Sequence, residues 1–161
     1  MRILLFLFLG LSPIAALAQT ADTDRLIAGA AQLMQAKSLR CQFTSGSVAA
    51  RSEDGKTNIR NDQFQSGKDF LIIDSIDTKT GRARLIGNVG AIDIFVFTSQ
   101  SGLHFLEKSE AGNITLTSVF VLKIKDNDKY IAVHTRHHSM VPIVPTVAPS
   151  QYHGSCEIFG K

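Results

Sequence analysis

The chain has 161 residues and a formal net charge of +3 at pH 7, with 17 Lys and Arg against 14 Asp and Glu. Its basic residues are scattered between acidic ones, as in residues 51–56 (RSEDGK), and do not form the basic stripe with interleaved aromatics that is typical of nucleic-acid binding. We therefore expect no nucleic-acid partner, and the length suits a single domain.

The first eighteen residues have the pattern of a cleaved signal peptide. Arg2 precedes an apolar run from Ile3 to Leu11, and residues 16–18 (ALA) match a cleavage site. The run is too short for a bilayer core of roughly 30 Å, which disfavours the alternative of a retained membrane anchor. We predict a signal peptide at 1–18, one β-rich domain at 19–161, a periplasmic or secreted location, and no transmembrane segment after cleavage.

Helical periodicity precedes a long stretch of β periodicity. In residues 22–37, apolar side chains recur at helical spacing, which predicts an amphipathic helix against the core; they are Leu26, Ile27, Ala30, Leu33 and Met34. From Leu39 onward the period is two, and apolar runs at 69–75, 83–88, 92–98, 103–108, 114–125 and 130–138 alternate with polar turns.

The short turns between these runs favour antiparallel pairing, because parallel strands need long crossovers. The predicted fold is mainly β: one N-terminal helix followed by an antiparallel meander of about seven to nine strands. The meander must protect its edges, so we expect it to close into a small barrel or a two-layer sandwich.

Cys41 and Cys156 are the only cysteines, and they lie near opposite ends of the chain. Export would place them in an oxidising compartment, so we predict a Cys41–Cys156 disulfide rather than a catalytic thiol or a metal thiolate. Closing so long a loop would stabilise the fold by roughly 4 to 5 kcal/mol in the chain-entropy model.

The candidate ligand-binding residues are His134, Arg136, His138 and His153, from a histidine-rich segment at 134–156. In a strand, the first three share one face, and the planar guanidinium of Arg136 is suited to clamp a carboxylate or phosphate. The alternative is an ordinary polar face with Arg136 paired to a carboxylate.

A metal site in this strand is disfavoured by spacing. His134 and His138 would lie about 13 Å apart at roughly 3.3 Å per residue, and Arg136 between them cannot ligate. A metal would need His104 or His153 brought in by the fold. We predict no metal, no cofactor and, since the chain lacks a G-x-S-x-G elbow, no catalytic residue.

The three prolines at 142, 145 and 149 predict an extended loop at 139–151. Its apolar members would cover an open end of the barrel or form an exposed binding lip; they are Met140, Val141, Ile143, Val144 and Val147.

Several segments carry a resemblance to known sequences: residues 74–77 (DSID), 83–88 (ARLIGN), 112–113 (GN), 117–120 (TSVF), 132–137 (AVHTRH) and 150–156 (SQYHGSC). In them the chain resembles a family of small exported proteobacterial proteins of uncharacterised function, over most of residues 39–158. The resemblance implies a bacterial, periplasmic protein and supplies no activity, cofactor or catalytic residue.

These observations favour an exported, non-enzymatic β-domain that binds a small molecule, an envelope component or a protein partner, such as an envelope protein. One alternative is a small periplasmic hydrolase or metal-dependent enzyme using the four candidate residues, and another is a purely structural envelope protein. A small-molecule barrel would have an apolar cavity lined by phenylalanines, whereas an interaction protein would have a filled core.

Overall fold

The computed structural model describes residues 14–64, 70–87, 90–109, 112–125, 127–139 and 146–160. Its elements in chain order are α1 (Ile14–Met34), β1 (Leu39–Ser52), β2 (Thr57–Asp62), β3 (Leu71–Asp77), β4 (Arg82–Gly87), β5 (Gly90–Ser99), β6 (Gly102–Lys108), β7 (Ile114–Lys123), β8 (Tyr130–His137), β9 (Thr146–Val147) and β10 (Ser150–Ile158).

The sheet closes into an eight-stranded antiparallel barrel, which confirms the predicted class and selects the barrel over the sandwich. The closed ring is formed by β1, β3, β4, β5, β6, β7, β8 and β10, and the pairing of β10 with β1 completes it. Strand β1 is long enough to extend beyond the ring, where it pairs with β2 on one side and with β9 on the other. Sequence periodicity did not predict this β1–β2 hairpin, because its residues are mostly polar and exposed.

The predicted disulfide is confirmed and lies across the strand pair that closes the barrel. Cys41 of β1 stands directly opposite Cys156 of β10, and their Cα atoms are 3.9 Å apart. Both cysteines are fully buried and belong to the hydrophobic core. The covalent link therefore joins the first and last strands of the ring across 115 residues of sequence.

Helix α1 begins earlier than predicted, and among its residues from Thr23 onward the buried ones lie in the last two turns. Leu33 is fully buried, whereas Leu26 and Ile27 of the predicted stripe are 44% and 62% exposed. These two residues lie in a part of the helix that extends beyond the barrel. The buried hydroxyl of Tyr130 donates a hydrogen bond of 2.9 Å to the carbonyl oxygen of Gly29 and so ties the helix to β8.

Residues 1–13 lie outside the described residues, and the expected cleavage site at residue 18 falls within α1. In the part of the chain that is described, no helix combines the length and apolar character needed to cross a bilayer.

Alternation along the strands divides the apolar side chains between the inside and the outside of the barrel. In β5, Ile94 and Val96 point inward and are buried, while Phe95 and Phe97 point outward and are 55% and 47% exposed. The phenylalanines are therefore not all core residues.

The barrel has two unlike ends. Helix α1 leads into β1 at Leu39 and adds its buried residues to the core at that end. At the other end, called the mouth here, lie the last residues of β8 and β6 and the first residues of β7 and β10. The apolar loop residues predicted to cover an end fall at 140–145, outside the described residues, except for Val147, which lies in β9 and is 44% exposed.

Candidate functional site at the barrel mouth

One lateral row of the sheet near the mouth crosses five strands and collects polar side chains from four of them. Reading across the strands, the directly opposite residues are Asp62 (β2), Gly46 (β1), Tyr152 (β10), His134 (β8) and Thr117 (β7). Because opposite residues in antiparallel strands share a face, the side chains of this row point to the same side of the sheet. We call this row, together with Arg136 and Ser150, the mouth cluster.

Gly46 makes the row possible because it has no side chain. A Cβ atom at this position would lie 2.4 Å from Cδ1 of Tyr152 and 2.5 Å from the carbonyl oxygen of Gln151. The Tyr152 ring occupies that space, and its hydroxyl donates a hydrogen bond of 2.5 Å to Oδ2 of Asp62. Tyr152 thus links the projecting hairpin to the barrel wall.

Arg136 is held by its cross-strand neighbours. It stands opposite Ser150, whose Oγ accepts a hydrogen bond of 3.2 Å from Nε of Arg136. Nη2 of Arg136 donates to the hydroxyl of Tyr152. The guanidinium carbon lies 4.4 Å from the centroid of the Tyr152 ring and 5.5 Å from that of Phe64, within the range of cation–π attraction.

The charge of Arg136 has no direct counterion among the described residues. No carboxylate oxygen described lies within 4.0 Å of its guanidinium, and Asp62 reaches it only through the Tyr152 hydroxyl. Burial lowers the pKa of Arg136, and the carboxylate of Asp62 opposes this only in part. The two bonds made by Nε and Nη2 leave further N–H donors on the guanidinium. Arg136 is therefore a partly desolvated cation that is suited to bind an external anion.

His134 is a neutral, deeply buried part of the same cluster. It is 3% exposed, and its Nδ1 lies 2.8 Å from Oγ1 of Thr117. Burial lowers the pKa of His134 to about 4, with smaller contributions from the positive charges of Arg136 and His138. At neutral pH this imidazole therefore acts as a hydrogen-bonding core side chain and adds no charge to the mouth.

Aromatic rings fill the barrel interior beneath Arg136. The rings of Phe43 and Phe64 each lie 5.3 Å from that of His134, and Phe64 also packs edge-on against Tyr152 at 5.2 Å. Two surface depressions of the protein lie elsewhere, one on the β1–β2 hairpin and one beside Lys123. A ligand at the mouth would therefore lie against these packed rings.

The four candidate residues are not all brought together. His134, Arg136 and His138 are electrostatic neighbours at the mouth, and burial followed by the charge of Arg136 lowers the pKa of His138. His153 is exposed and stands opposite Val133, which places it on the outer face of the barrel.

His104 also lies on the outer face, where its two ring nitrogens contact the hydroxyls of Ser99 at 2.8 Å and Ser118 at 2.9 Å. Within the described ranges no three His, Cys, Asp or Glu side chains are grouped as metal ligands. The mouth cluster also shows no hydrogen bond between the Ser150 hydroxyl and His134, the pairing that a serine nucleophile with a histidine base would need.

Sequence reasoning missed the partners of Arg136, namely Asp62, Ser150, Tyr152 and Phe64. The sequence did contain a signal for the position of Asp62. The polar turn at 53–56 implies a hairpin in which Arg51 opposes Thr57, and continuing that register places Asp62 opposite Gly46. Comparison with protein-family models, curated proteins and solved structures gives no match for the chain.

Proposed function

We propose that the chain is an exported, non-catalytic binding domain that holds a carboxylate or phosphate group against Arg136 at the barrel mouth. The observation that carries the proposal is a half-buried guanidinium with unused N–H donors and no described carboxylate within 4.0 Å. Export is supported by the apolar N-terminal run and by the disulfide, which is compatible with an oxidising compartment.

The surroundings of Arg136 favour recognition of an anionic group over catalysis. Ser150 and Tyr152 fix the orientation of the guanidinium, so little side-chain entropy remains to be lost on binding. The planar fork of an arginine matches the two oxygens of a carboxylate or phosphate. Since aromatic rings fill the layer below, the bound group would belong to a small molecule or envelope protein that stays largely outside the barrel.

Titration of the oxidised, mature protein with inorganic phosphate and with acetate tests this, using the backbone amide resonances of Ser150 and Tyr152 in NMR spectra as the readout, because both residues contact Arg136 and are retained in the variants. We expect saturable binding with at least one of the two anions. Removing a charged hydrogen-bond partner costs about 1.5 to 3 kcal/mol, so Arg136→Gln should weaken binding roughly 10- to 100-fold.

Arg82→Gln is the matched control, because Arg82 is an exposed arginine on β4 whose guanidinium lies over the outward-facing ring of Phe95. This variant should bind as the wild type does. Equal weakening by both substitutions would indicate non-specific charge attraction and overturn the proposal, as would the absence of saturable binding of either anion.

A further inference from the structure

Strand β2 has an open edge in the described structure. It ends the strand order and pairs with β1 alone among the described strands. Five of its six residues are exposed, and Ile59 at 72% is the most exposed of the large apolar side chains described. The pairing with β1 is regular from Thr57 to Asp62, without the bulge that commonly protects an edge.

The direction of the backbone groups of β2 follows from its neighbour. The amide of Ala49 donates to the carbonyl oxygen of Pro149 at 2.9 Å, so Ala49 directs its backbone groups away from β2. Ile59 stands opposite Ala49 and is therefore in a non-hydrogen-bonded pair with it. Because the direction alternates along a strand, Thr57, Ile59 and Asn61 all present N–H and C=O groups at the open edge.

We infer that β2 is a homodimer seam, in which a second copy of the chain adds its own β2 antiparallel about a two-fold axis at Ile59. In this register Ile59 opposes its own counterpart, and Lys56 opposes Asp62 in both directions. Moving the axis to Arg60 would place two arginines opposite each other, and moving it to Asn58 would oppose Lys56 to Arg60. Like charges directly opposite destabilise a strand pair, so the register centred on Ile59 is favoured.

The existing partners of the charged residues permit this arrangement. Lys56 contacts Asp54 at 3.1 Å, but the pair is largely exposed and contributes little to stability. Asp62 accepts a hydrogen bond from Tyr152, and a carboxylate keeps capacity for a second donor. The seam is isologous, so it closes at two copies and does not propagate into a filament.

Native mass spectrometry and light scattering of the oxidised, mature protein over a range of concentrations test the inference. We expect a concentration-dependent dimer. Ile59→Lys should raise its dissociation constant at least ~10-fold, because the apolar contact between the two Ile59 side chains is lost and two like charges then meet at the axis. Leu122→Lys is the control, since Leu122 is 53% exposed on β7, away from the edge, and should leave the dimer intact.

A thiol at the axis gives a second readout. Both native cysteines are paired in the disulfide, so Ile59→Cys introduces the single free thiol. Opposite residues in a hydrogen-bonded pair have Cα atoms about 5.5 Å apart, within the range a disulfide spans. Ile59→Cys should therefore cross-link two chains under mild oxidation much faster than Leu122→Cys.

A protein that stays monomeric, or a dimer that survives Ile59→Lys, would overturn the inference. Arg136→Gln should leave the dimer unchanged, so the dimer seam and the proposed anion site are tested independently of each other.

Discussion

The burial of His134 predicts a specific loss of stability in acid. An unfolded histidine titrates near 6.5, whereas the folded His134 has a pKa of about 4, chiefly because the ring is buried. Between these two values the unfolded chain binds more protons than the folded one. The contribution of His134 to the free energy of unfolding is therefore fully present above about pH 7 and is lost as the pH falls toward 4.

The magnitude follows from the size of the shift. One unit of pKa difference corresponds to about 1.36 kcal/mol, so the fall of His134 from 6.5 to about 4 is worth about 3 kcal/mol between pH 7.5 and pH 4. That is a large part of the total stability of a small domain, commonly about 5 to 15 kcal/mol. His104 and His138 also have lowered pKa values and act in the same direction, so wild-type data alone do not isolate His134.

Urea unfolding at a series of pH values, with wild type and His134→Gln compared, isolates the effect. Glutamine retains a group that can hydrogen-bond Thr117 but does not titrate. We expect the variant to be less stable at pH 7.5, because it loses the ring packing against Phe43 and Phe64, and to lose about 3 kcal/mol less than wild type on going to pH 4.

His137→Gln is the control, because it makes the same substitution at an exposed position at the end of β8. Parallel stability curves for wild type and His134→Gln would refute the argument that burial holds His134 neutral.

Two further predictions concern the pairing of β1 with β10, which closes the barrel. Gly46→Ala should destabilise the fold by about 1 to 3 kcal/mol in urea unfolding, because the new methyl group overlaps the Tyr152 ring. Gly87→Ala is the control and should be nearly neutral, because the nearest atom to its new methyl group lies at 3.9 Å. Equal effects of the two substitutions would contradict the packing argument. Replacing both Cys41 and Cys156 by serine should lower the free energy of unfolding by about 5 kcal/mol in the chain-entropy model, and an unchanged urea midpoint would show that the bridge contributes nothing.

The parts of the fold that sequence predicted are those governed by local alternation. The runs at 92–98 and 130–138 became β5 and β8 with boundaries close to those expected, and the alternation along β8 placed His134 and Arg136 on one face, although it did not reveal that this face is the inner one. The disulfide followed from having only two cysteines in a chain that is predicted to be exported. These inferences needed no knowledge of which strands are neighbours.

The parts that failed depend on tertiary contacts. The apolar stripe of α1 predicted burial for Leu26 and Ile27, but periodicity does not reveal where a helix leaves the barrel. The outward position of the Phe97 ring also depends on tertiary structure. Phe97 alternates with Val96 along β5, and only closure of the barrel decides which of the two faces is interior. Hydrophobicity alone would have buried both.

The composition of the mouth cluster depends on a single inserted residue in β1. A regular ladder continued from Cys41 opposite Cys156 would place Ser45 opposite Tyr152. The structure instead has a register shift between Phe43 and Ser45, after which Gly46 stands opposite Tyr152. A β-bulge inserts one residue and moves all later side chains to the other face of the strand.

This shift has a direct consequence for Arg136. With a side chain opposite Tyr152, the ring would lose the space above Gly46 through which its hydroxyl reaches Asp62. Tyr152 would then no longer connect Asp62 to the guanidinium, and the orientation of Arg136 would rest on Ser150 alone. The glycine and the bulge thus determine whether Arg136 is held in the fixed orientation that the proposed anion site requires, and residue type alone would indicate this for neither of them.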